Sequence, residues 1–204
     1  MAQLAANQAQ LECDGEVPGP ASGVVGQSGI VDESRRERFE RVAPGLVEPL
    51  RRYLARRTDA DTAEDVLAET LLVCWRRIDD LPEEPLPWAY AVAANCLRNA
   101  ERAARRQRRV AAKVAALEPR PVAAEPADDP DLAQALSRLH AEDAELLRLW
   151  AWEQLAPAEI ATVLGISANA ASIRLHRARE KLRTELRKTE RVSGHEGSRE
   201  GRTS

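Results

Sequence analysis

PAEIATVLGISANAASIRLHRAR, residues Pro157–Arg179, is the stretch whose reading decides the fold. Pro157 suits the first helical position, where a missing N–H costs nothing. About two turns of helix follow to Leu164, and Gly165 suits the left-handed position that stops a helix. Ser167 can cap the next helix. That helix runs to about Arg187, with Ala171, Leu175, Ala178, Leu182 and Leu186 as its apolar stripe. A short helix, a glycine turn and a longer basic helix make the helix-turn-helix pattern, whose second helix can lie in a DNA major groove. Ile160, Ala161 and Leu164 then face the core, and Asn169, Ser172, Ile173 and His176 are short or polar enough to approach base edges. Arg174, Arg177 and Lys181 are placed for phosphates or guanines. A purely structural helical hairpin with the same charges is the alternative at this point.

Outward from this stretch, the pattern stays helical. Leu132, Leu136 and Leu139 mark one short helix, and Leu146, Leu147, Leu149 and Trp150 mark another. Upstream, Phe39, Val42, Leu46, Leu50 and Tyr53 recur at helical spacing, with Pro44 beginning a new segment after a short break. A capping box of Asp61 with Glu64, or of Thr62 with Asp65, starts the next helix, which buries Val66, Leu67, Thr70, Leu71 and Cys74 and ends near Ile78. A third helix has Pro87 in its first turn and runs from Trp88 to about Arg109, with Trp88, Val92 and Cys96 on one side. The expected fold is all-α: two small helical domains, 34–113 and 131–188, joined by a flexible acidic, Pro-rich linker over 114–130. Residues 1–33 read as a disordered acidic arm and 189–204 as a disordered tail.

Composition narrows the function. The chain has 204 residues, 44% hydrophobic and 31% charged, with a net charge of -3. No stretch approaches 18 consecutive apolar residues, and the first 30 lack the basic and apolar segments of a signal peptide. Cys13, Cys74 and Cys96 are odd in number and form no CxxC, so no disulfide framework or zinc site is expected. A cytoplasmic protein without metal or cofactor follows. The three histidines come with no HExxH, P-loop or GxSxG, which argues against an enzyme. The near-neutral net charge hides two basic blocks. Residues 98–113 hold seven bases against Glu101, and residues 172–191 hold eight against Glu180, Glu185 and Glu190. Such blocks are candidate footprints for phosphate backbones.

Four segments in order, AEDVLAETLLVCWRR (63–77), PWAYAVAAN (87–95), AWEQLAPAEIA (151–161) and the run from Gly165 to Arg179, give a chain that resembles an ECF-type (extracytoplasmic function) RNA polymerase sigma factor of the sigma-70 family. The resemblance covers about residues 35–113 as sigma region 2 and 131–187 as region 4. It implies a non-catalytic initiation subunit that binds core polymerase at the β′ clamp helices and β flap, with promoter DNA as its other partner. It also allows for an anti-sigma factor. Asp65 and Glu69 match polar core-binding positions, with Leu72 and Trp75 as apolar contacts. Asn95, Arg98, Asn99, Arg102, Arg105 and Arg106 fall in the part that melts and holds the -10 element. Ser167, Asn169, Ser172, Ile173, Arg174, His176, Arg177 and Lys181 fall in the part that binds the -35 element. The competing reading is a stand-alone helix-turn-helix regulator, which leaves the segment 63–77 unexplained.

Overall fold

A computed structural model describes residues 28–112 and 129–196. Among these residues all regular structure is helical, which is the expected fold class. The helices are α1 (Ser28–Ala55), α2 (Ala60–Arg76), α3 (Pro85–Ala112), α4 (Pro130–Ser137), α5 (Ala141–Ala151), α6 (Pro157–Leu164) and α7 (Ala168–Glu196), with a 3-10 turn at Ile78–Asp80. The chain separates into two compact units. In one, α1, α2 and α3 pack on each other; in the other, α4 and α5 pack on α7. The expected arm up to residue 27, most of the linker and the end of the tail lie outside the described residues.

In the first unit, α1 does not break at Pro44. It runs through both Pro44 and Pro49. An internal proline costs about 3 kcal/mol. Leu46, Leu50, Tyr53 and Leu54, all but fully buried, lie on the helix around and beyond the prolines, and each large apolar side chain contributes about 1.5–3 kcal/mol on burial. Packing therefore outweighs the local signal. The cap of α2 also differs from expectation. Asp59 is the N-cap, in extended backbone, and its Oδ1 accepts from the Thr62 N–H at 3.1 Å. Asp61 and Thr62 are already inside the first turn, so neither expected capping box forms. The helix ends at Arg76, and Ile78 is buried in the 3-10 turn that follows.

The N-terminal half of α3 is the centre of this unit. Trp88 through Ala93, together with Cys96 and Leu97, is buried, and the Tyr90 ring meets Tyr53 at 5.1 Å. The helix starts at Pro85, two residues before Pro87, so both prolines sit where helical N–H groups lack partners anyway. Cys74 and Cys96 are buried thiols. Burial pushes the Cys74 thiol up to about 12, so it remains protonated and unreactive at neutral pH.

From Asp129 onward each helix has an identifiable start. Asp129 caps α4 through the N–H groups of Asp131 and Leu132, at 2.9 and 3.2 Å. His140 is the N-cap residue of α5. Ala156 has no side chain to cap α6, but the Glu159 carboxylate accepts from the Ala156 N–H at 2.6 Å and supplies the returning half of a capping box. The expected stop and restart then appear. Gly165 has φ +66°, the Ile166 N–H donates to Ala161 O at 3.0 Å, and Ser167 Oγ accepts from the Ala170 N–H at 3.2 Å. Ala171, Leu175 and Ala178 are buried, while Leu182 and Leu186 are only half-buried. Beyond Arg187 the helix continues to Glu196, so the first half of the expected tail is helical. Residues 28–33 of the expected arm likewise belong to α1.

Candidate nucleic-acid interface

Three surfaces collect the residues singled out from the sequence. On α2, Asp65, Glu69 and Leu72 are exposed at spacings of four and three, so they share one face. Leu72 is 45% exposed, unusual for a leucine in the middle of a packed helix. Trp75 is different. It is half-buried, edge-on to Phe39 at 5.5 Å, with the Arg35 guanidinium 5.8 Å from its ring.

Arg35 was not legible as a site residue. Its guanidinium donates to Trp75 O and Arg76 O, at 3.3 and 3.2 Å, and pairs with Asp79 at 3.1 Å. Arg38 donates to Leu81 O at 3.2 Å. Together they satisfy the end of α2 and fasten the acidic loop that precedes α3. Asp79, though exposed, is thereby paired with a cation, which offsets part of the charge that would repel a phosphate.

On α3, burial changes at Arg98. Asn95 is only 7% exposed, and its Oδ1 accepts from the Arg98 guanidinium. Its amide therefore orients Arg98 and is not itself presented outward. Asn99 is half-buried, whereas Arg98, Arg102, Arg105 and Arg106 are exposed on successive turns. Arg105 pairs with Glu101 at 3.3 Å, an exposed pair one turn apart. The result is a basic ridge attached to a rigid buried stem.

On α7, Ser167, Asn169, Ser172, Ile173, Arg174, His176, Arg177 and Lys181 are all exposed. Their roles in the structure diverge. Ser167 is the cap, and the Ser172 hydroxyl donates to Ala168 O at 3.0 Å. Lys181 is bound to Asp143 at 2.6 Å, and Arg174 lies 4.0 Å from Glu142. Both acids are in the first turn of α5, which also complements the helix dipole there. The Lys181–Asp143 pair lines an open cleft of about 430 Å³ with Arg138 and Glu185. Among the described residues Arg177 has no acidic partner. Trp150 is read from the sequence as part of an apolar helix pattern, and its surface role is a second feature that the pattern does not reveal. It marks α5 but lies on its surface, with the Arg179 guanidinium stacked 4.6 Å from its ring. Among the described residues no three His, Cys, Asp or Glu side chains gather to hold a metal ion, and no helix is long and apolar enough to cross a membrane.

Comparison with known proteins joins these surfaces. Residues 130–182 match the family described as Sigma-70, region 4. The chain is 33% identical over 143 residues to the ECF RNA polymerase sigma factor SigL of Mycobacterium tuberculosis, a match covering 66% of this chain and 81% of that protein. Among solved structures it is similar to the NMR structure of the PhyRSL-NepR complex from Sphingomonas sp. Fr1, at 17% identity and a TM-score of 0.50, covering 74% of this chain and 88% of that one. It is also similar to the sigma factor RpoE in its co-crystal structure with the anti-sigma factor NepR from Bartonella quintana, at 22% identity and a TM-score of 0.48, covering 76% and 98%. With a third of its residues identical across four-fifths of SigL, the chain belongs to the ECF family of RNA polymerase sigma factors, which are non-catalytic polymerase subunits.

Proposed function

We propose that this sigma factor binds core RNA polymerase through α2, directs it to promoters through a -35 duplex read by α7, and helps melt and hold a -10 element on α3. The observation that carries this reading is the division of labour among exposed faces. An acidic and apolar face (Asp65, Glu69, Leu72) suits a basic helical coiled coil such as the β′ clamp helices. A basic ridge (Arg98, Arg102, Arg105, Arg106) suits the backbone of an opened strand. A capped helix that exposes Asn169, Ile173 and His176 near its start suits the base edges of a duplex. The β flap and an anti-sigma factor enter this reading through the family alone. A stand-alone DNA-binding regulator would use α7 but would give the α2 face no task.

The test is transcription with purified core polymerase. The protein should form a holoenzyme and start transcripts at defined promoters. Asp65→Lys with Glu69→Lys should weaken core binding at least tenfold, because two attractions become repulsions at exposed positions that leave the core of α2 intact. Specific promoter binding without core polymerase, and no effect of core on it, would instead favour the regulator.

A further inference from the structure

The large exposed apolar side chains among the described residues are Leu72, Trp150 and Ile173. Trp150 already stacks on Arg179, and Leu72 shares the α2 face with Asp65 and Glu69. Ile173 has no comparable explanation. It is 45% exposed in the second turn of α7, one turn after Asn169 and one turn before His176 and Arg177. An isoleucine left in water there forfeits the benefit of burial unless something apolar covers it.

Its neighbours limit what that can be. The Ser172 hydroxyl donates to Ala168 O at 3.0 Å, so it offers an incoming base only lone pairs. Arg174 leans toward Glu142, 4.0 Å away. The patch immediately around Ile173 is thus an amide, a hydroxyl acceptor and a branched aliphatic group, with the exposed guanidinium of Arg177 one turn further along α7. In the major groove the one aliphatic group that a base pair presents is the C5-methyl of thymine. A β-branched side chain in a helix has essentially one χ1 state, so Ile173 holds its methyl groups in place before DNA arrives.

We propose that Ile173 reads the C5-methyl group of a thymine in the -35 duplex, making an A·T pair the preferred base pair at that position. The inference rests on the reading of α7 as the -35 recognition helix and adds the chemical feature that one of its residues selects.

The experiment uses the holoenzyme formed from the full chain and core polymerase. The preferred -35 sequence is first obtained by selection from duplexes randomised in that region. Each thymine is then replaced singly by uracil, which removes one methyl group and leaves every hydrogen-bonding group unchanged. At one position binding should weaken about fourfold, the worth of about one buried methyl group. With Ile173→Ala, thymine and uracil should bind equally at that position; alanine favours the helix, so the fold is kept. A wild-type protein that selects a -35 sequence yet tolerates uracil at every thymine, or selects no thymine, overturns the proposal and leaves the -35 reading standing. Uracil sensitivity that persists in Ile173→Ala also overturns it, since another residue then reads the methyl. No sequence preference in the -35 region at all overturns the -35 reading, and the proposal with it.

Discussion

α3 and α7 carry similar formal charge and hold it in opposite ways. On α3, Arg102, Arg106, Arg108 and Arg109 are exposed and, among the described residues, face no acid; Arg105 alone in that run pairs, with Glu101. On α7 four bases are tied down, while Arg177 is left without an acid among the described residues. Lys181 pairs with Asp143 at 2.6 Å, Lys188 with Glu185 at 2.6 Å, Arg183 with Glu180, and Arg174 approaches Glu142. Exposed ion pairs are worth only about 0–1 kcal/mol each, so DNA can compete for these bases, but each exchange has a cost. Loose charge on a stiff stem suits a flexible single strand, whose phosphates take no fixed position. Tethered charge suits a duplex, whose phosphates do. The number of arginines and lysines in a helix is therefore a poor guide to the charge that it offers a nucleic acid.

The largest expected effect lies on α3. Arg102→Ala, Arg105→Ala and Arg106→Ala together should weaken holoenzyme binding to a single-stranded -10 oligonucleotide by on the order of tenfold or more at low salt. The slope of log affinity against log salt should fall by about two, at about 0.7 per phosphate contact. Fluorescence anisotropy across a salt series reads both. A slope that stays put would mean that the loose charge is not engaged by the strand, and the contrast with α7 would lose its meaning.

The next effect sets two residues of α7 against each other. Arg177→Ala should weaken -35 duplex binding several-fold and reduce the salt slope by about 0.9, the value for one phosphate on duplex DNA. Lys181→Ala should change the slope much less, because Asp143 already holds the ammonium. Equal slopes for the two variants would show that the ion pair opens on binding.

These contrasts also show what the sequence could and could not reveal. Signals confined to one helical turn were legible in residues 157–179, though not at the α2 cap: Pro157 at the start of α6, the positive φ at Gly165 and the Ser167 cap all match the reading. Signals decided by packing were not. Pro44 reads as the start of a new segment after a break, yet burial of Leu46, Leu50 and Leu54 carries α1 through it and through Pro49. Asn95 reads as a polar residue on a basic helix, and only the fold shows its amide turned inward against Arg98. The acids that restrain α7 sit 32 and 38 residues upstream of the bases they meet, beyond the reach of any local pattern.

A smaller effect comes from releasing one restraint. Asp143→Asn removes the charge that holds Lys181, whose side chain is 57% exposed against 17% for Asp143. The duplex should then bind a few-fold tighter at low salt, with the slope raised by up to about 0.9. Thermal stability should fall slightly, by about 1 kcal/mol, because the lysine end of the pair is in water although Asp143 is mostly covered. Tighter binding with a lower melting temperature is the signature of a base shared between fold and DNA.

The smallest expected effect on DNA binding is at Ser167, where fold and DNA make competing claims on one hydroxyl. Its Oγ caps α7 by accepting from the Ala170 N–H, so Ser167→Ala should cost about 1 kcal/mol of stability in thermal unfolding. That loss alone does not tell a cap from a phosphate contact, since helix N-terminal N–H groups also attract anions. Ser167→Asp separates the two. Aspartate caps a helix as well as serine and complements the dipole, so stability should be kept. If a phosphate approaches the start of α7, the added carboxylate repels it, and -35 affinity should fall although the fold is intact. Unchanged affinity in Ser167→Asp would assign the hydroxyl to the fold alone and shift the DNA-facing start of α7 to Asn169, one residue inside the helix.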